Sequence, residues 1–261
     1  MSSLEHALER EAAKQTPQPR SGSGPWIAGA AAPHRIGNAV LTPKRKAMER
    51  ARLLPYLDQS AVNAYKLLRT RLLQRMRNSG WRTLIVTSIG PNEGKTTTAI
   101  NLALAACNAN QGVLLVDLDL KRPAVARSFG FERRIGLSDY LRGRADADAV
   151  LYDTDIDLLA VIPNFDVVAS HGSVVEPRMV ELAEHLREAY PDRLIVFDMS
   201  PVLASDDVIA FAPLVDTVLL VIAEDRTSRA LLQRANEMLE GIPLVGTVLN
   251  CSSEGDASFN Y

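Results

Sequence analysis

Six short apolar runs, separated by stretches of helical pattern, limit the folds open to this chain. They are Thr83–Ser88, Val113–Asp117, Leu158–Ile162, Leu194–Asp198, Thr217–Ile222 and Leu244–Leu249, rich in Val, Ile and Leu and without strict alternation. A strand that meets apolar neighbours on both faces reads in this way. Helices are expected between them at Lys95–Asn108, Leu137–Arg142, Pro177–Tyr190, Ser205–Ala212 and Ser228–Leu239. Repeated strand–helix units need crossover connections. Such connections build a mostly parallel, twisted sheet with helices on both faces, an α/β architecture. No internal repeat is present.

With 261 residues, 47% of them hydrophobic, the chain can bury one full core, or one domain with a tail. Residues 1–55 read as a largely disordered basic arm and linker, 56–251 as the folded domain, and 252–261 as a flexible tail ending in Tyr261. Within the arm, Ser3–Lys14 has the spacing of one short helix. Gln15–Pro33 is a linker rich in Pro, Gly, Ser and Ala, and Lys44–Arg52 is basic and partly helical in pattern. A helix is expected at Ser60–Asn78, with Ser60 as N-cap and Leu67, Leu68, Leu72 and Leu73 as its apolar stripe. Residues 1–80 hold 14 Lys and Arg against 5 Asp and Glu, whereas 81–261 hold 15 against 26. A basic arm therefore precedes an acidic body. The arm can stay solvated, or dock on an acidic face of a neighbouring subunit or on anionic lipid.

Cys107 and Cys251 cannot make a disulfide framework, which points to a reducing compartment. Met1–Lys14 lacks the apolar core of a signal peptide, and no run approaches the roughly 18 apolar residues of a membrane span. His6, His34, His171 and His185 lack metal-ligand spacing and read as structural or surface residues.

The strongest local signal is Ser88-Ile89-Gly90-Pro91-Asn92-Glu93-Gly94-Lys95-Thr96-Thr97, which follows an expected strand and opens an expected helix. That is the setting a phosphate-binding P-loop requires. Backbone N–H groups from Gly90 to Thr97 can point at phosphates, where the helix dipole favours negative charge. Lys95 can reach the β- and γ-phosphates, and the Thr96 hydroxyl can sit on Mg²⁺. The general pattern places Gly five residues before Gly94, but Ile89 stands there and Gly90 follows one place late. The bland alternative is a glycine-rich turn before an ordinary helix.

Two further apolar runs end in carboxylates. Val113–Val116 leads to Asp117-Leu118-Asp119, and Leu194–Phe197 leads to Asp198. Period two puts Asp117 and Asp119 on one face if the strand continues. Ligands of open α/β sheets collect at the carboxyl ends of strands, so these acids could face the P-loop. Either motif alone is an ordinary strand end. The ordered set of P-loop, Asp-x-Asp and apolar-run-Asp supplies the positioning and charge neutralisation of phosphoryl transfer.

From Ser60 to Cys251 these residues resemble the bacterial tyrosine kinases of exopolysaccharide and capsule synthesis, and most of all the exosortase-associated tyrosine autokinases. The marks are Pro91 ahead of Glu93-Gly94-Lys95, the Asp117-x-Asp119 strand, Asp198 followed by Pro201-Val202-Leu203-Ala204-Ser205-Asp206-Asp207, and Gly246-Thr247-Val248-Leu249-Asn250. The resemblance implies a P-loop NTPase of the deviant-Walker type using ATP and Mg²⁺. It implies phosphate and metal binding by Lys95 and Thr96, and Asp117 as general base or organiser of the metal shell. It further implies metal support from Asp119 and Asp198, and Asn250 near the adenine.

The same likeness implies a homo-oligomer packed through the helix Asn63–Thr70, and a membrane chain-length or polysaccharide co-polymerase protein as activator. The chain would then be cytoplasmic, held at the inner face of the plasma membrane by that partner. Neither nucleic acid nor a transmembrane segment of its own is expected. The phosphoacceptor would be Tyr261 on the tail, with Tyr56 and Tyr65 as alternatives. Departures from the family pattern are Asn63 for Glu, Lys66 for Arg, Lys121 for Arg, Met199-Ser200 for Thr-Pro, and one tail tyrosine instead of a cluster. Two other functions share the fold: an ATPase switch of the partition type, which would carry Lys where this chain has Gly90, and an ATP-bound scaffold without kinase activity.

Overall fold

The computed structural model describes residues 35–168, 177–224 and 226–252. In chain order the elements are β1 (Val40–Leu41), α1 (Arg45–Arg50), a 3₁₀ turn at Leu54–Tyr56, α2 (Gln59–Asn78), β2 (Thr83–Ser88), α3 (Lys95–Cys107), β3 (Val113–Asp117), α4 (Val125–Phe129) and α5 (Leu137–Leu141). They continue as β4 (Tyr152–Thr154), β5 (Leu159–Ile162), α6 (Pro177–Ala189), β6 (Leu194–Asp198), α7 (Asp207–Phe211), β7 (Thr217–Ala223), α8 (Arg229–Met238) and β8 (Leu244–Asn250). The strands form one sheet in the order β1-β4-β5-β3-β6-β2-β7-β8. Every neighbouring pair is parallel except β4 with β5.

The absence of alternation in the strands is explained by two apolar layers, one on each face. Along β2, Leu84 and Val86 enter one layer and Ile85 enters the other. The first layer gathers Leu72, Leu73 and Met76 of α2, Ile100 and Ala103 of α3, and Phe129 of α4. The second gathers Leu182 and Leu186 of α6, Phe211 of α7, and Leu232 and Ala235 of α8. Each fully buried Leu, Ile or Phe contributes roughly 1.5–3 kcal/mol. Either layer thus holds enough apolar surface to fix its helices on the sheet. Among the described residues, no helix is long and apolar enough to cross a membrane.

The expected boundary at residue 56 is corrected by the structure. Within 35–55, Leu41, Met48, Leu53 and Leu54 are buried. Asn101, inside α3, accepts the Leu54 N–H at 2.7 Å and donates to the Arg52 carbonyl at 3.0 Å. Asp153 accepts the Ile36 and Gly37 N–H groups at 3.2 and 3.0 Å. These contacts span the sequence, so local composition did not reveal them. The Ser3–Lys14 helix, the Gln15–Pro33 linker and the Tyr261 tail lie outside the described residues.

The cap of α2 is also corrected. Asp58, not Ser60, accepts the Ala61 N–H at 2.9 Å. Of its expected stripe, Leu72 and Leu73 are buried whereas Leu67 is exposed. Sequence reasoning missed β1, β4 and α4, all five residues or shorter. It also placed Leu158 in a strand, but its φ of 69° is left-handed and β5 begins one residue later.

Candidate functional site

Strand β2 delivers the chain to the carboxyl edge of the sheet, and α3 leaves from the loop that follows. Gly94, at the N-cap of α3, has φ 93° and lies so close to the Asn250 amide that a Cβ would collide with it. Only glycine satisfies both demands. The displaced glycine of the motif has a reason too. Ile89 is fully buried in the second apolar layer, where a glycine would leave apolar space unfilled, whereas a Cβ at Gly90 would meet only Glu93 at ordinary contact distance.

Parallel pairing of β3 with β6 sets Asp117 opposite Asp198 in register. Both acids therefore stand at the carboxyl edge beside the loop. The Lys95 ammonium lies between two carboxylates, 2.8 Å from Asp119 Oδ2 and 3.3 Å from Asp198 Oδ1. The Thr96 hydroxyl donates to Asp198 Oδ2 at 2.6 Å. Asp119 Oδ1 accepts the Arg122 N–H at 2.9 Å. Lys95, Thr96, Asp119 and Asp198 thus form one bonded cluster.

Asp117 is placed differently from the expectation that it shares a face with Asp119. The strand ends at Asp117, and its Oδ2 accepts the N–H groups of Ala124 and Val125 at 3.0 and 2.9 Å. It caps the start of α4. Its Oδ1 is buried with no hydrogen-bond partner. Asn250 donates to the Glu93 carbonyl at 2.9 Å, so its amide grips the loop backbone. Thr227 and Arg226, which no motif marked, also reach the loop.

Burial and charge divide the roles. Burial, reinforced by the charge of Asp198, holds the Asp117 carboxyl well above the usual carboxylate range. Burial also raises Asp198, against the opposing pull of Lys95 and Thr96. For Lys95, burial works to lower the pKa, but the charges of Asp198 and Asp119 outweigh it and the net direction is up. The surroundings thus favour the charged form of Lys95 and the neutral form of Asp117, which lies beside the cluster.

Asp117→Asn is accordingly expected to raise the melting temperature of the ligand-free protein at pH 7.5. A folded pKa above the unfolded one gives stability at low pH that is lost as pH rises through the folded value. The gain in the Asn variant should therefore shrink toward zero near pH 4. Each kcal/mol of relief appears as about 2–4 °C for a chain of this size. Melts of both proteins across pH check it, and a lower melting temperature in the variant at pH 7.5 would contradict it.

In front of the loop opens a cleft of about 450 Å³ whose lining includes Gly94–Thr97, Asp119, Lys121, Arg122 and Arg127. Asp207 contacts two residues of that lining: it accepts the Ser200 hydroxyl at 2.9 Å and pairs with Lys121 at 3.5 Å, and it also accepts the Ser205 hydroxyl at 2.6 Å. The residues also suit Mg²⁺. The unpartnered Asp117 Oδ1 and the Thr96 hydroxyl supply hard oxygen donors beside Asp119 and Asp198. Among the described residues no three acidic, His or Cys side chains close into a metal cage. Mg²⁺ needs none, since it binds one or two carboxylates and completes its shell with water and phosphate oxygens.

Residues 84–257 match the CobQ/CobB/MinD/ParA nucleotide binding domain. Tyrosine-protein kinase CpsD of Streptococcus pneumoniae is 31% identical over 173 residues, 65% of this chain and 75% of CpsD. The chain belongs to the bacterial tyrosine-protein kinases of this nucleotide-binding family. The kinase domain of Escherichia coli tyrosine kinase ETK superposes with a TM-score of 0.63 at 27% identity, covering 77% of this chain and 80% of that domain. EpsB of Ralstonia nicotianae is 28% identical over 235 residues, 87% of this chain. The chain spans only 30% of the length of EpsB.

Proposed function

We propose that the chain is an ATP-dependent protein tyrosine autokinase that regulates exopolysaccharide synthesis or export. The observation that carries this reading is the bonded cluster of Lys95, Thr96, Asp119 and Asp198 at the foot of the P-loop, with Asp117 beside it. Amide groups from Gly90 to Thr97 and the Lys95 ammonium would bind the triphosphate. Thr96, Asp119 and Asp198 would hold Mg²⁺, which when bound neutralises charge on the transferring phosphoryl group. For that, Lys95 must turn from the two carboxylates toward phosphate.

Asp117 is the candidate base. Its raised pKa suits a group that must take up a proton, and its free Oδ1 can accept one. The tyrosine oxygen would bond to the γ-phosphorus as the bond from phosphorus to the bridging oxygen breaks. ADP leaves and the hydroxyl proton passes to Asp117. A membrane chain-length protein is the proposed activator, and a second copy of the chain the proposed phosphoacceptor, through Tyr261.

The other tyrosines support that choice. Tyr140 and Tyr152 donate their hydroxyls to the carbonyls of Arg178 and Ile135 at 2.8 and 2.9 Å. Tyr65 and Tyr56 are half-buried against the first apolar layer, and Tyr190 is half-buried against the second. Purified protein incubated with γ-labelled ATP and Mg²⁺, with and without the activator's cytoplasmic segment, should carry label on tyrosine. Tyr261→Phe should remove most of it. Undiminished label in that variant would move the acceptor, most simply to Tyr56. Free phosphate without protein label would instead identify an ATPase switch, and tight ATP binding with neither a scaffold.

A further inference from the structure

We propose that Thr227 is a positioning residue that latches the crest of the P-loop in its anion-binding conformation. If residues 88–97 hold a triphosphate, as proposed above, their amides must be aimed before the ligand arrives. The crest does not hold that shape unaided. Asn92, a non-glycine residue, has φ 62° in the left-handed region. That conformation costs less for Asn than for other non-glycine residues, but contacts that hold it still stabilise the crest.

Three clasps supply that restraint, all from the chain beyond β7. The Glu93 side chain folds beneath the loop and is only 3% exposed. Its Oε2 accepts the Ile89 N–H at 2.8 Å, and its Oε1 accepts the Thr227 hydroxyl at 2.7 Å. The Glu93 carbonyl accepts the Asn250 amide at 2.9 Å, and the Asn92 carbonyl accepts Arg226 Nη1 at 3.0 Å. Glu224 N–H donates to the Asn250 carbonyl at 2.9 Å, tying the end of β7 to the end of β8. The loop is thereby fastened to two strand ends at once.

Thr227 is the member with the sharpest consequence. Without its hydroxyl, Glu93 Oε1 is a buried carboxylate oxygen lacking a donor. An unsatisfied buried anion seeks other N–H groups. The P-loop lies beside that oxygen, since a Cβ built at Gly90 would stand 3.4 Å from it. A lost latch should therefore weaken nucleotide binding rather than merely soften the fold.

The test compares Thr227→Val, which keeps shape and removes the hydroxyl, with Thr227→Ser, which keeps the hydroxyl. Fluorescent Mg-ATP analogue titrations give Kd, and hydrogen exchange reads the Ile89 amide in the ligand-free full chain. T227V should raise Kd by about tenfold, as expected for a lost hydrogen bond to a charged group. It should also speed Ile89 exchange, and raise KM far more than it lowers kcat. T227S should stay within about twofold of the wild type on every measure. A purely structural threonine would lower the melting temperature of T227V and leave Kd unchanged, and that result overturns the latch. Absence of nucleotide binding by the wild type would defeat the nucleotide reading instead. Ile89 exchange then decides alone, and an unchanged rate in T227V overturns the latch. Should T227V fail to fold, Thr227→Ala removes the same hydroxyl, and an unchanged Kd there overturns the latch.

Discussion

Replacing Asp216 with alanine is expected to cost about 3–5 kcal/mol of stability, the range for removing one partner of a buried ion pair. Asp216 immediately precedes β7 and is 6% exposed. Its Oδ2 accepts the Arg82 and Thr83 N–H groups, both at 2.9 Å, and the Thr83 hydroxyl at 2.7 Å. Its Oδ1 pairs with Arg187 of α6 at 2.7 Å. One carboxylate thus joins the start of β2, the start of β7 and α6. Truncation leaves three donors and a guanidinium without their acceptor.

The same site predicts a pH dependence. Burial works to raise the Asp216 pKa, but the donors from Arg82 and Thr83, with the Arg187 charge, outweigh it and hold the carboxyl below its usual range. A depressed folded pKa gives stability that is present above the unfolded pKa of about 3.9 and lost as pH falls through the folded value. Asp216→Asn should therefore be destabilised at pH 7. Its denaturation midpoint should approach that of the wild type as pH drops below about 4. Urea melts at pH 7 and at pH 3.5 check both statements, and a constant gap between the two proteins would contradict the second.

Lys95→Met is expected to abolish transfer of label from ATP and to remove the rise in melting temperature that Mg-ATP is expected to give the wild type. Loss of one preorganised charge from a transition-state clamp lowers rates by about 10²–10³-fold. The missing thermal shift is a separate readout, because a ligand at 100 times its Kd stabilises the folded state by about 2.7 kcal/mol. The variant should also be less stable without ligand. Asp119 and Asp198 would keep their burial and lose the cation that lies 2.8 and 3.3 Å from them. Label retained within threefold of the wild type would remove Lys95 from the phosphate site.

Much of the site was legible because its signals are local. A strand, a loop and a helix in immediate succession mark Gly94, Lys95 and Thr96, since a candidate anion site of this kind is a property of one helix start. Asp117 and Asp198 were legible as strand ends, since parallel strands deliver their last residues to one edge of the sheet. The role of Asp117 as cap of α4 was not. It depends on where the chain turns after Leu118, and α4 is too short to show a period. The grip of Asn250 on the loop was equally hidden, because residues 93 and 250 meet only through the pairing of β7 with β8.

By itself, the order of apolar runs and helical stretches determined the layered α/β architecture. The reason is that burial on both faces erases alternation in every internal strand. The packed chain decided which charges meet. Lys95 between two carboxylates, Glu93 beneath its own loop, and Thr227 and Asp216 as ties between distant elements all rest on long-range contacts. Such contacts form only when crossover connections bring separate strand ends within hydrogen-bonding distance, and no window of sequence carries that information.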